Sequence, residues 1–153
     1  MIPITEEIIL KAKTWSTFKG NHLTFSNTDS QLAGSIGEIV FQQLYPDAIR
    51  VSETDRECDF LFKDFRVDVK TKMTSVNPQP YHDLSILDYQ KDFNVDFYCF
   101  FRLNYIEHKL WQVATIAKDD YFKKAKFLEK GMFDRTNNYY VKQDCWNLKI
   151  GEI

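Results

Sequence analysis

The residues from Cys58 to Lys72 (Cys-Asp-Phe-Leu-Phe-Lys-Asp-Phe-Arg-Val-Asp-Val-Lys-Thr-Lys) carry the chain's clearest chemical pattern. They read as two short strands around a tight turn at Lys63-Asp64. Successive side chains on a strand point to opposite faces. Phe60, Phe62, Phe65, Val67, Val69 and Thr71 then share one face, and Asp59, Leu61, Arg66, Asp68, Lys70 and Lys72 the other. That register pairs Phe62 with Phe65, Phe60 with Val67 and Asp59 with Asp68, setting two carboxylates opposite each other with Cβ atoms about 5 Å apart. Lys70 follows two residues on. Like charges directly opposite destabilise a sheet, and a sequence shaped for stability alone has little reason to put them there. A hard divalent cation such as magnesium removes the conflict by taking carboxylate oxygens as ligands. Two carboxylates, a lysine and such an ion are a set suited to hydrolysing a phosphodiester.

The hairpin must be tight for this to work, yet Lys63-Asp64 is a poor type I′ sequence. A longer loop would slip the register while keeping both acids within reach of one ion. The elements around it read as follows. Ile4 to about Lys19 is an expected helix, capped by Thr5 with Glu6 and Glu7 in its first turn, striped by Ile8, Ile9, Ala12 and Trp15, and stopped by Gly20-Asn21. Leu23 and Phe25 suggest a short strand. A second helix starts at a cap on Asp29 or Ser30 and runs to Tyr45, before Pro46. Its apolar stripe is Leu32, Ala33, Ile36, Val40 and Leu44. Glu38 lies on the other side with Gly34, Ser35, Phe41, Gln42 and Tyr45, and helix geometry alone favours a surface glutamate. However, mid-helix glycine costs about 1 kcal/mol against alanine, and a solvated face rarely carries two aromatics. We therefore expect this face to pack too, with Gly34 and Gly37 admitting a close backbone and bringing Glu38 toward a sheet.

Further along, Ala48–Ser52 is a strand candidate and Asp83–Asp92 an expected helix with Leu84, Leu87 and Tyr89 inward. Phe97–Leu103 is a strand covered on both faces. Leu110–Ile116 is another strand, joined to it by Glu107-His108-Lys109. Lys118–Lys130 is an expected amphipathic helix ended by Gly131, and Tyr139–Ile150 adds one or two strands. The order predicts one domain over 1–153, an α/β fold with a mixed sheet flanked by helices.

Composition excludes several classes. At 153 residues, 44% hydrophobic and 16% aromatic, the chain can bury a real core and is not disordered. It has no run of about 18 apolar residues, so no membrane span is expected. The start, Met-Ile-Pro-Ile-Thr-Glu-Glu, lacks the pattern of a secretory signal; a cytoplasmic protein is expected, made by a cell, a phage or a mobile element. Cys58, Cys99 and Cys145 are odd in number and far apart, which predicts reduced core thiols rather than disulfides or a zinc knuckle. A net charge of −2 argues against a non-specific DNA coat, but not against an enzyme with a local basic patch. His22, His82 and His108 are scattered, and no phosphate-binding glycine loop, serine elbow or HExxH motif occurs.

Helical Gly34-Ser35-Ile36-Gly37-Glu38, then Asp59, then Asp68-Val69-Lys70, in this order, resembles the PD-(D/E)XK nuclease superfamily, and its Holliday-junction resolvase-like and phage-encoded members in particular. The resemblance covers about Ser30 to Leu110. It implies a restriction-endonuclease-like mixed central β-sheet flanked by α-helices. It also implies a metal-dependent DNA endonuclease, using Mg2+ with Mn2+ able to substitute. By that resemblance Asp59 and Asp68 ligate the ion, Glu38 ligates it directly or through water, and the Val69 carbonyl is a further ligand. Lys70 orients or deprotonates the attacking water. Lys72, Arg66 and Ser35 are candidates for phosphate contact. Cys58 stands where the motif has proline, a position that varies widely in the superfamily.

The rival readings are a catalytically silent nucleic-acid-binding or interaction protein on the same fold, and a module whose hairpin acids are surface charges. RNA stays an alternative substrate, with Tyr81, Tyr89 and Trp111 as stacking candidates, although strand aromatics are usually core. Lys123, Lys124 and Lys126 are candidate DNA contacts, though a lysine-rich helix face is more often simply solvated. Cutting both strands would favour a two-fold dimer.

Overall fold

The computed structural model describes residues 1–18 and 30–153. The expected helix stop at Gly20-Asn21, the strand at Leu23 and Phe25 and the cap at Asp29 lie outside the described residues. The fold is mixed α/β. In chain order it runs β1 (Ile2–Pro3), α1 (Glu6–Phe18), α2 (Ser30–Leu44), β2 (Ile49–Arg50), β3 (Phe60–Phe62), β4 (Phe65–Thr74), β5 (Asp83–Leu87), β6 (Phe97–Asn104), β7 (Lys109–Ala117), α3 (Lys118–Lys124), β8 (Lys126–Leu128), β9 (Phe133–Asp134), β10 (Tyr139–Tyr140) and β11 (Cys145–Lys149). The main sheet is ordered β1-β7-β6-β4-β3-β2. Its β4–β6 pair is parallel and its other pairs antiparallel. A second sheet is ordered β5-β11-β8, and β9 and β10 form a separate hairpin.

The β3–β4 hairpin has the expected register: Phe62 opposes Phe65, Leu61 opposes Arg66 and Phe60 opposes Val67. Lys63 and Asp64 both take positive φ, 49° and 67°, as a type I′ turn requires. Packing of Phe60, Val67 and Val69 into the core, with Phe62 against it, overrides the weak turn sequence.

Strand β6 divides the core. Cys99, Phe101 and Leu103 face α1 and α2 together with Val67 and Val69 of β4. Tyr98 and Phe100 face the other way, onto Leu84, Ile86, Tyr121 and Leu148. The near-continuous apolar run of this strand follows from having both faces covered. Helix α1 is capped as expected, with the Ile8 N–H donating to Thr5 Oγ1 at 3.3 Å. Its residues Ile8 and Ala12 are buried against α2.

Helix α2 is buried on both sides, and the surface placement of Glu38 favoured by helix geometry is wrong: Glu38 is only 4% exposed. The two glycines differ. A Cβ at Gly37 would fall onto Thr71 Oγ1 on β4, and rotating that hydroxyl away would leave Thr71 Cβ at 3.1 Å; at Gly34 nothing lies within 4 Å. Only Gly37 is therefore a close-approach position. Gly37→Ala should destabilise the fold by about 1–3 kcal/mol through overpacking. Gly34→Ala should stabilise it by up to about 1 kcal/mol through helix propensity. Urea unfolding checks the pair, and equal effects would refute the packing argument.

Two expected helices are corrected. Asp83–Asp92 is strand β5 followed by a single 3-10 turn at Asp88–Gln90. Leu84 and Ile86 are both buried, so the period is two rather than 3.6, and pairing with β11 fixes it. Tyr89, expected inward, is 65% exposed. The helix expected over Lys118–Lys130 stops at Lys124. Ala125 turns extended, and Lys126–Leu128 pairs with β11. Gly131 still reverses the chain, with φ of 91°, but in a turn between strands. Cys58, Cys99 and Cys145 are all buried and free. No helix among the described residues is long and apolar enough to cross a membrane.

Candidate active site

The β3–β4 ladder ends at Phe60, so Asp59 is not the ladder partner of Asp68 that the register extended by one step would make it. The Asp59 N–H donates to the Val67 carbonyl at 3.0 Å, and its own carbonyl accepts the N–H groups of Val51 and Ser52. Its side chain then takes over the ladder: Asp59 Oδ2 accepts the Val69 N–H at 2.8 Å. The carboxylate is thus laid along β4, between Asp68 and Lys70 in sequence. Lys70 Nζ stands 2.7 Å from Asp68 Oδ2. Glu38, Asp59, Asp68, Val69 and Lys70 together line one cleft of about 200 Å³. Four segments converge there: α2, the segment before β3, β4, and the turn after β5, which contributes Gln90.

Glu38 reaches the cleft from α2. Its Oε2 accepts Arg50 Nε at 3.1 Å and Ser52 Oγ at 3.0 Å. The Arg50 guanidinium lies 3.7 Å above the Trp15 ring and also meets Glu53 Oε1 at 2.5 Å. Arg50 and Ser52 were not anticipated from the sequence, where nothing marks an arginine in so short a strand.

The electrostatics follow from this crowding. Burial, then the neighbouring Asp68 and Glu38 carboxylates, hold the Asp59 carboxyl well above the usual carboxylate range. Its bond to Val69 and the nearby Lys70 only partly oppose this. Tyr98, which pairs with Asp68 across β4–β6, is pushed upward by burial and by Asp68, and its hydroxyl has no hydrogen-bond partner among the described residues. Cys58, also in the cleft, is pushed up to about 11 by burial, so it stays a neutral thiol and is not a nucleophile.

The phosphate-contact candidates separate. Ser35 is 1% exposed and its hydroxyl is hydrogen-bonded to Ser16 on α1, which takes it out of reach of a phosphate. Arg66 turns to the acids before β3, Asp55 and Glu57, rather than to Asp59 or Asp68. It pairs with Asp55 at 2.6 Å and donates to the Asn94 carbonyl at 2.5 Å; its part is to brace the segment before β3. Lys72 remains exposed, on the same strand face as Lys70. Arg102, directly across from Lys72 in the β4–β6 register, was not singled out from the sequence. The signal was available, since a lone arginine in the run Phe97–Leu103 is a charge in an otherwise apolar buried strand.

The donor set suits a hard divalent cation: carboxylates and a main-chain carbonyl, with no sulfur or imidazole required. Among the described residues, however, no three His, Cys, Asp or Glu side chains already converge on a common metal position. Asp68 is held by Lys70 and Glu38 by Arg50, so ligation needs these side chains to exchange a protein cation for the ion. No family model matches the chain, and no curated protein matches it.

Proposed function

We propose that this chain is a metal-dependent DNA nuclease of the PD-(D/E)XK type, with a restriction-endonuclease-like sheet. The observation that carries the reading is the meeting of Glu38, Asp59, Asp68 and Lys70 in one cleft, from separate elements, around a carboxylate crowded by two others. Bound there, Mg2+ or Mn2+ would lower the pKa of the attacking water and neutralise phosphate charge. Asp59, Asp68, Glu38 and the Val69 carbonyl are the residues to hold it. Lys70 orients the water and stabilises charge on the phosphate, and the Val69–Asp59 hydrogen bond fixes the Asp59 carboxylate in advance.

The test is incubation of supercoiled plasmid, linear duplex and single-stranded DNA with the protein in magnesium, manganese or EDTA. Nicking of the circle in either metal, lost in EDTA and in Asp68→Ala, is the expected result. Absence of cutting on all three substrates, or full activity in EDTA, refutes it. A second reading, a silent nucleic-acid-binding protein on the same fold, is favoured by one observation: the Glu38–Arg50 and Asp68–Lys70 pairs satisfy two of the three acids without a metal. DNA binding without cleavage in any metal would select it.

A further inference from the structure

Beside the acidic cleft lies a second one of about 150 Å³, lined by Lys70, Lys72, Asp83, Ser85, Phe100 and Arg102 among others. Lys70 belongs to both. Its charge is the inverse of the first site. Lys72 and Arg102 oppose each other on β4 and β6, two cations side by side where like charges disfavour a sheet. Neither makes a salt bridge among the described residues. Arg102 is 4% exposed, and among the described residues its guanidinium donates only to the main-chain carbonyl of Asp83, through Nη2. Its Nε is buried without a hydrogen-bond partner among the described residues. The nearest acid does not resolve this. The Asp83 carboxylate is occupied by Asn147 at 2.7 Å, Asn137 at 3.0 Å and Lys149 at 3.3 Å. Lys72 Nζ rests 5.8 Å from the Tyr139 ring centroid.

A buried guanidinium with an N–H left unsatisfied among the described residues, next to a lysine whose ammonium is disfavoured by burial and by that same arginine, is an arrangement that a tetrahedral oxyanion satisfies: arginine gives directed donors, lysine a point charge. Two residues along a strand span about 6.6 Å, which is one to two phosphate steps of a nucleic-acid strand at about 3.4 Å of axis each. We propose that Lys72 and Arg102 form a phosphate subsite that holds a backbone phosphate of the DNA strand, one or two phosphates from the bond cut beside Lys70. The place of the cut rests on the nuclease reading; the subsite itself does not.

Binding in EDTA separates the two, because no cleavage intervenes. A short fluorescein-labelled duplex and its single strand are titrated by anisotropy at salt concentrations from about 50 to 200 mM. Lys72→Gln should bind both more weakly and lower the slope of log K against log salt by about 0.9 on the duplex and 0.7 on the single strand. Arg102→Gln should do the same and Arg102→Lys should retain the slope, each checked for folding by circular dichroism. Lys109→Gln, whose ammonium is already paired with Glu107, should leave the slope unchanged. A wild-type slope in Lys72→Gln on both probes, or no binding of either probe by the wild type, overturns the subsite. A reduced slope in a protein that cuts nothing in magnesium upholds the subsite and refutes the nuclease. Cleavage with an unaltered slope does the reverse.

Discussion

Lys70→Ala should slow magnesium-dependent plasmid nicking by about 10³-fold, within the 10²–10⁴ range typical of a positioned acid–base group. The expectation rests on where the ammonium sits. Its side chain is about a quarter exposed, at the junction of the acidic and basic clefts, and 2.7 Å from Asp68. A lysine that served only to neutralise Asp68 would behave differently: its removal would strengthen metal binding, since the ion would no longer compete with an ammonium for that carboxylate. Both roles are read in one set of experiments. Single-turnover cleavage reports the chemical step, and a magnesium titration followed by thermal unfolding reports the ion. The outcome predicted here is a large rate loss with magnesium affinity kept or raised. Cleavage within a few-fold of wild type would remove Lys70 from the mechanism. A rate loss recovered at high magnesium would recast it as a counter-ion. Lys70→Arg keeps the charge but changes the donor geometry, so it should recover affinity for DNA more than rate.

The hairpin was the most legible part of the chain, because alternation over Phe60–Phe62 and Phe65–Thr71 leaves one register that buries Phe60, Val67 and Val69 together. The same period-two signal is present in Leu84 and Ile86 and competes with a helical spacing of Leu84 and Leu87; only the antiparallel pairing with β11 decides between them. Lys118–Lys130 failed for a related reason. Its amphipathic pattern is real as far as Lys124, but Phe127 and Leu128 gain more by pairing with Trp146 and Cys145 than by completing a helix. Non-local pairing of this kind leaves no trace in a local window. In the site, Glu38, Asp59, Asp68 and Lys70 were legible as an ordered set. What holds them was not: Arg50 and Ser52 come from a segment with no motif, and Ser35 and Arg66, read as phosphate contacts, find protein partners only once α1 and the Asp55 turn are in place.

Asp59→Asn is expected to make the protein more stable without metal and inactive with it. The sign follows from the raised Asp59 pKa, caused by burial first and by Asp68 and Glu38 next. The native state keeps a proton that the unfolded chain, with an ordinary value of 3.8, releases. Between that value and the raised native one, the native state binds more protons than the unfolded state, so stability falls as pH rises through the window and the contribution is lost above it. Asparagine keeps an acceptor for the Val69 N–H while removing the charge, so the fall should vanish. The difference between wild type and variant isolates the effect. His82 is lowered by burial, so it adds stability with rising pH over part of the same range, and it does so equally in both proteins. Asp55 and Asp134 are lowered and act only below about 3.8. Magnesium should reverse the wild-type loss by binding the ionised form, contributing about 2.7 kcal/mol at a hundredfold excess over Kd. The variant should lose at least the roughly 10- to 100-fold in metal affinity that even outer-shell changes cost, and cleavage with it. Urea unfolding across pH in EDTA and in magnesium checks both halves. If the two proteins differ by a constant at every pH, Asp59 is not held protonated and the crowding of the three acids is relieved by something other than a proton. If magnesium stabilises both equally, Asp59 is not a ligand, and the acids serve Arg50 and Lys70 rather than an ion.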